Sequence, residues 1–219
     1  MIEHDYEPIP GLPGLLPKDE RIVWQGAPDR RVLARTAFHT RLVTGYFVLL
    51  GGWAFVAALL RGVHGVEDFS GVALTAMFGI IAVGLLNALA WAAARTTLYT
   101  LTNRRIVFRV GVAFSKCINL PLPLVATVGL AAQADRSGDI PLALVGDRKL
   151  GFLALWPHAR PWHVATPQPM LRAVPEAAQV AALIGRTCLT LDPHGQLSQP
   201  APAVPIGGAA PAFGQAVAA

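Results

Sequence analysis

Apolar positions fill two long stretches of the chain, and shorter patterns of polar and apolar residues lie on either side. No charged residue falls between Arg41 and Arg61 or between Asp68 and Arg95. The uncharged runs are about 19 and 26 residues long. At about 1.5 Å of rise per residue, each run wound as a helix can cross the roughly 30 Å of bilayer hydrocarbon, the second with slack. Both runs are apolar on every face, whereas a helix on the surface of a water-soluble core is apolar on one. The pattern predicts a two-helix transmembrane hairpin with a short connection from Arg61 to Asp68.

Past Arg95 the period changes from helical to two. Leu98 to Thr102 and Arg105 to Val110 alternate on either side of Asn103 and Arg104, which predicts a β-hairpin. Phe114 to Leu120 predicts a third strand, stopped by Pro121. Shorter strands are expected at Ala126 to Leu130, Ile140 to Val145 and Leu150 to Leu155. Pro175, Glu176 and the spacing of Val180, Leu183, Ile184 and Thr187 predict a closing amphipathic helix. The fold class is therefore α+β: a membrane hairpin followed by a small β barrel or sandwich with a C-terminal helix. Ahead of the hairpin, Glu20 to Gly26 reads as a short strand. Pro28 opens a helix with Arg31, Arg35 and His39 on one face and Leu33, Ala34, Ala37 and Phe38 on another, a segment suited to the membrane interface. The expected divisions are a leader (1–29), the interfacial helix with the hairpin (30–95), the β domain (96–190) and a Pro-, Ala- and Gly-rich tail expected to be disordered (191–219).

Composition agrees with a membrane protein: 53% of residues are hydrophobic, 14% are charged, and the mean hydropathy is +0.47. The net charge of +5 has a direction along the chain. Arg30, Arg31, Arg35 and Arg41 precede the first run, and Arg95, Arg104, Arg105 and Arg109 follow the second; the connection sets Arg61 against Glu67 and Asp68. Positive flanks stay in the cytoplasm, so both termini are expected inside and the connection outside. A cleaved signal peptide is excluded because the first run begins too late. Arg31, Arg35, Arg104 and Arg105 are candidate lipid-headgroup contacts. Nucleic acid is not an expected partner, since no nucleic-acid motif accompanies the charge. Cys117 and Cys188 lie far apart on the expected cytoplasmic side, so neither disulfide nor metal is indicated.

Candidate chemistry is sparse. The runs hold no ionisable residue, which argues against a channel or transporter. Asn87 is expected to hydrogen-bond across the hairpin or to a partner helix. Gly84 and Ala88 allow close approach of another helix, whether from a partner protein or from a second copy of the chain. In the loop from Trp156 to Trp162, stiffened by proline, Trp156, Arg160 and Trp162 are of the residue types enriched at interface hot spots. The plainer alternative has Trp156 plugging the barrel, with Arg160 and Trp162 resting on the closing helix or on lipid. His158 and His163 have no carboxylate or cysteine at metal-site spacing and read as polar surface. No nucleotide loop, zinc-protease helix or Gly-x-Ser-x-Gly elbow is present, and Asp135, Asp139 and Asp147 with Ser137 read as turn residues. No catalytic residue and no cofactor are expected.

Tyr99-Thr100-Leu101-Thr102-Asn103-Arg104-Arg105-Ile106-Val107, directly after a two-helix anchor, is similar to the opening hairpin of bacterial pleckstrin-homology-like membrane domains. Three further motifs join it: Leu15-Leu16-Pro17 leading to Trp24-Gln25-Gly26-Ala27-Pro28-Asp29, the stretch Leu155 to Trp162, and Pro169-Met170-Leu171-Arg172. Together they resemble the PuhB family of photosynthetic complex assembly proteins of purple bacteria, over roughly residues 10 to 190. The resemblance, not the composition, implies that the β domain is PH-like. It also implies a non-catalytic assembly factor in the photosynthetic inner membrane, with reaction-centre or light-harvesting subunits and membrane lipids as partners. Two other readings stay open: a generic membrane-tethered lipid- or protein-binding module, and a membrane enzyme with polar groups converging at the cytoplasmic face.

Overall fold

The computed structural model describes residues 9, 11–12, 14–62, 65–111, 116–146, 151, 155–163 and 167–191, without the side chains of Val66 and Glu67. Strand β1 (Ile22–Gly26) comes first, then a short helix α1 (Arg30–Thr36) and two long helices, α2 (Thr40–Arg61) and α3 (Ser70–Thr96). Seven strands follow: β2 (Leu98–Thr102), β3 (Arg105–Val110), β4 (Lys116–Pro121), β5 (Val125–Val128), β6 (Ala131–Ala132), β7 (Gly138–Leu144) and β8 (Met170–Val174). Helix α4 (Ala177–Leu191) closes the fold. The 191–219 tail beyond Leu191 lies outside the described residues, as do Asp147 and most of the strand expected at Leu150 to Leu155; Leu155 itself is helical.

The β domain is built from two antiparallel sheets. One has the order β1-β2-β3-β4; in the other β7 pairs with β5, β6 and β8. Alternation sends Tyr99 and Leu101 of β2 and Ile106, Phe108 and Val110 of β3 into a core shared with Ile140, Leu142 and Leu171 from the second sheet. The amphipathic helix α4 lays Val180, Ile184 and Cys188 over this core. Burial among these side chains raises the Cys188 thiol to about 11. The leader is not separate from the domain. It supplies β1, which pairs with β2 across the whole inserted hairpin, with Trp24 opposite Leu101. Trp24 packs against the core and lies over Gly26, where a Cβ would stand 2.4 Å from the indole.

Among the described residues, α2 and α3 are the two helices long and apolar enough to cross a membrane. They touch closely at Gly79, where a Cβ would sit 3.0 Å from the Phe47 side chain. Gly51 faces Thr75 in the same antiparallel register. That register sets the start of α2 level with Leu86, so α3 continues about ten residues, roughly 15 Å, beyond it.

Helix α1 lies against this overhang. Asp29 caps it by accepting from the Arg31 and Val32 amides at 2.7 and 3.1 Å, so the helix starts after Pro28 and not on it. Val32, Leu33 and Ala34 pack against Ala90 and Ala93 of α3 and Ala173 of β8. The Asp29 N–H donates to the Ala173 carbonyl at 2.8 Å. α1 is therefore a wedge that joins the hairpin to the β domain. His39, expected on the face of the first helix, instead lies beyond its end at φ 50° and breaks the chain between α1 and α2.

Candidate functional site

The loop carrying Trp156, Arg160 and Trp162 sits where the long helices meet the β domain. Its anchor is His158, only 1% exposed. The Arg172 backbone N–H donates to the Tyr99 hydroxyl at 3.1 Å, which leaves the hydroxyl hydrogen to donate to His158 Nδ1 at 2.7 Å. A ring accepting at Nδ1 carries its proton on Nε2, and that N–H faces Thr97 Oγ1 at 3.2 Å. This donor count satisfies all three groups with a neutral imidazole. The network ties the loop to the residue just past α3, to β2 and to β8. Backbone bonds reinforce it: Met170 N–H donates to the His158 carbonyl at 2.8 Å and Arg160 N–H to Gln168 at 2.9 Å.

Burial dominates the electrostatics here. It lowers His158 to about 3, and the Arg172 guanidinium beside it pushes the same way. Burial also raises Tyr99 and Asp139, although the Ala173 N–H, 2.8 Å from the Asp139 carboxylate, favours its ionised form. Arg172 is lowered by burial, against the pull of Asp139; its guanidinium donates to the Pro157 carbonyl at 3.1 Å. The His158 shift has a measurable consequence. Between pH 6.5 and about 3 the unfolded chain binds a proton at His158 that the folded domain refuses. The stabilisation is complete above pH 6.5 and is lost as pH falls, by up to about 1.4 kcal/mol per pH unit. Acidification from pH 7 to 5 should cost about 2 kcal/mol, read as a lower Tm of the full-length protein in detergent. Asp139, shifted upward, partly offsets this as pH falls. His158→Gln should flatten the slope; an unchanged slope would assign the acid sensitivity to other groups.

This arrangement corrects two expectations about the loop. Trp156 does not plug the barrel: it is 53% exposed and meets Phe38 edge-on, with ring centroids 6.0 Å apart. His158 is not polar surface but the buried member, and with both ring nitrogens engaged it has none left for a metal. His163 is a half-buried loop residue bonded to the Pro161 carbonyl. Asp139 is a buried strand residue, whereas Asp135 does shape a turn, accepting from Ser137. Among the described residues no three His, Cys, Asp or Glu side chains are grouped to hold a metal.

The remaining candidates scatter. Trp162 is 96% exposed at φ 64°, while Arg160 is held by Gln168 Oε1 at 2.9 Å. Gly84 and Ala88 lie on an open face of α3, with nothing near a Gly84 Cβ. Asn87 does not reach across the hairpin: its Nδ2 donates to Val83 of its own helix at 2.8 Å. Arg31 borders the hairpin, in a groove with Arg30, Asn87 and Trp91. Arg35 instead pairs with Asp135 of the β domain. Arg105 holds Glu20, whose side chain is buried, with two nitrogens at 2.8 and 3.2 Å. Arg104 sits at the β2–β3 turn, the end of that hairpin remote from α3.

The family model for the bacterial PH domain matches residues 42–187. The chain belongs to the bacterial PH domain family. The match takes in both long helices and every strand from β2 to β8, and leaves out β1 and α1. Among curated proteins, the chain is 37% identical over 193 residues to one from Rhodobacter capsulatus named as an uncharacterized 23.7 kDa protein in the puhA 5′ region. That alignment covers 84% of this chain and 87% of the relative. No solved structure matches. Within the bacterial PH domain of this chain, the sequence signals that touch the His158 network were the motifs holding Tyr99, Leu155 to Trp162 and Pro169 to Arg172.

Proposed function

We propose that this bacterial PH domain protein is a membrane-anchored, non-catalytic assembly factor for the photosynthetic reaction-centre and light-harvesting complex. The observation that carries the reading is its relation, over most of both chains, to the Rhodobacter capsulatus protein named for the puhA 5′ region. That relation agrees with the PuhB resemblance of its motifs. In this reading α2 and α3 cross the inner membrane with both termini in the cytoplasm. Two features support the crossing: side chains such as Leu49, Trp53, Leu60 and Ile80 stand exposed along them, and arginines flank both cytoplasmic ends. A client subunit is held at the loop, where Trp162 projects from a base fixed by His158. The open small-residue face at Gly84 and Ala88 receives a client helix.

The test is a deletion strain complemented by variants and grown photosynthetically. Loss of the gene should lower reaction-centre absorbance. Arg160→Ala with Trp162→Ala should reproduce much of that loss while the protein's own abundance, by immunoblot, stays normal, because truncating a hot-spot pair costs about 2 kcal/mol or more of binding. Normal reaction-centre levels in the deletion strain would remove the assembly role.

A further inference from the structure

We infer that the groove between α1 and the overhang of α3 is a binding site for the headgroup of an anionic phospholipid, phosphatidylglycerol in type. The inference rests on reading α2 and α3 as membrane spans. The groove, about 240 Å³, is lined by Arg30 and Arg31 from α1 and by Asn87 and Trp91 from α3. Arg95 adds a third guanidinium, 5.4 Å from the centre of the Trp91 ring. Among the described residues none of these three arginines has an acidic partner. The neighbouring carboxylate, Asp29, accepts the Arg31 and Val32 amides through Oδ1; its negative charge offsets one of the three guanidinium charges and leaves the site net positive. Among the described residues the site therefore gathers three guanidinium groups that form no ion pair, and a planar guanidinium matches a phosphate by two parallel hydrogen bonds.

Depth narrows the ligand. The helix register sets Asn87 and Trp91 at and just past the level where α2 begins, which for a spanning hairpin is the cytoplasmic edge of the hydrocarbon. Tryptophan is favoured at that level because its ring is apolar and its N–H is polar. The groove is smaller than the ~300 Å³ at which sites for drug-sized ligands begin, and suits a phosphate with a short polar group. Asn87 Nδ2 is already bonded to Val83, so the amide oxygen is left as an acceptor. An acceptor beside arginines selects a headgroup that carries a hydroxyl as well as a phosphate. Glycerol meets that description, and choline, with a quaternary ammonium and no donor, does not.

The experiment is native mass spectrometry of the full-length protein purified in mild detergent and offered equal amounts of phosphatidylglycerol and phosphatidylcholine. The wild type should retain phosphatidylglycerol preferentially. Arg30→Gln with Arg31→Gln should cut that retention by about tenfold or more and leave phosphatidylcholine unchanged. Both side chains are exposed and form no ion pair among the described residues, so the fold should survive. Arg21→Gln with Arg104→Gln, an equal charge loss on exposed residues elsewhere, should have little effect. No lipid preference, or an equal loss in that control, overturns the site. Binding of inorganic phosphate to lipid-free protein with the same arginine dependence would place a soluble phosphate there and overturn the lipid assignment. Recovery of the protein in the aqueous phase without detergent would defeat the membrane reading and this inference with it, whereas a membrane-integrated protein without lipid preference defeats the inference alone.

Discussion

Phe108→Asp should abolish the folded β domain. The Phe108 ring is fully buried, edge-on to Tyr99 at 5.7 Å between centroids, and its backbone pairs with Tyr99 on one side and Ile118 on the other. Removing a buried aromatic ring costs about 3–5 kcal/mol. Placing a carboxyl group among apolar side chains adds several kcal/mol more even if it takes up a proton, because it finds no hydrogen-bond partner there. Together these rival the roughly 5–15 kcal/mol by which a domain is usually stable. Steady-state abundance and protease resistance should collapse in the aspartate variant, while Phe108→Leu should be tolerated with a modest loss. A stable, protease-resistant Phe108→Asp protein would mean that β3 is out of register by one residue.

The second large effect is expected from Tyr99→Phe. The ring stays and its contact with Phe108 is kept, but the hydroxyl that joins Arg172 N–H to His158 Nδ1 is lost. Two buried polar groups are then unpaired, each at about 1–3 kcal/mol, so a loss of about 2–6 kcal/mol follows. It should be localised. The amides of His158, Arg160 and Met170, which hydrogen-bond in and around the Trp156 to Trp162 loop (the latch), should exchange faster, while those of the β3–β4 ladder keep more of their protection. Equal protection of the latch amides in both proteins would show that the loop is fixed by packing alone.

The hairpin of two long apolar helices was legible because its signal is local. A segment in hydrocarbon must satisfy its backbone internally and present apolar groups outward, so every residue votes the same way. The β2–β3 hairpin was legible for a similar reason: period two reports two faces with different surroundings. β8 was not. Met170 to Val174, between Pro169 and Pro175 and with Arg172 inside, has no alternation, and all five residues are buried. Pairing with β7 is what makes it a strand.

The candidate site shows the same division. Residue type marked the Trp156 to Trp162 loop, and charge marked the arginines, but neither marked their partners. A histidine is buried when both ring nitrogens find partners, and here those partners, Thr97 and Tyr99, lie 61 and 59 positions earlier in the chain. Arg105 meets Glu20 from across the inserted hairpin, Arg35 meets Asp135 from the second sheet, and Arg31 faces Asn87 and Trp91. The sequence by itself determined which segments are apolar helices, which are alternating strands and where positive charge accumulates, because those properties follow from each residue and its near neighbours. The tertiary structure alone decided that β1 joins β2, that His158 is the anchor and Trp162 the projection, and which carboxylates Arg35 and Arg105 meet. Satisfying a buried polar group depends on distances in space that no periodicity along the chain encodes.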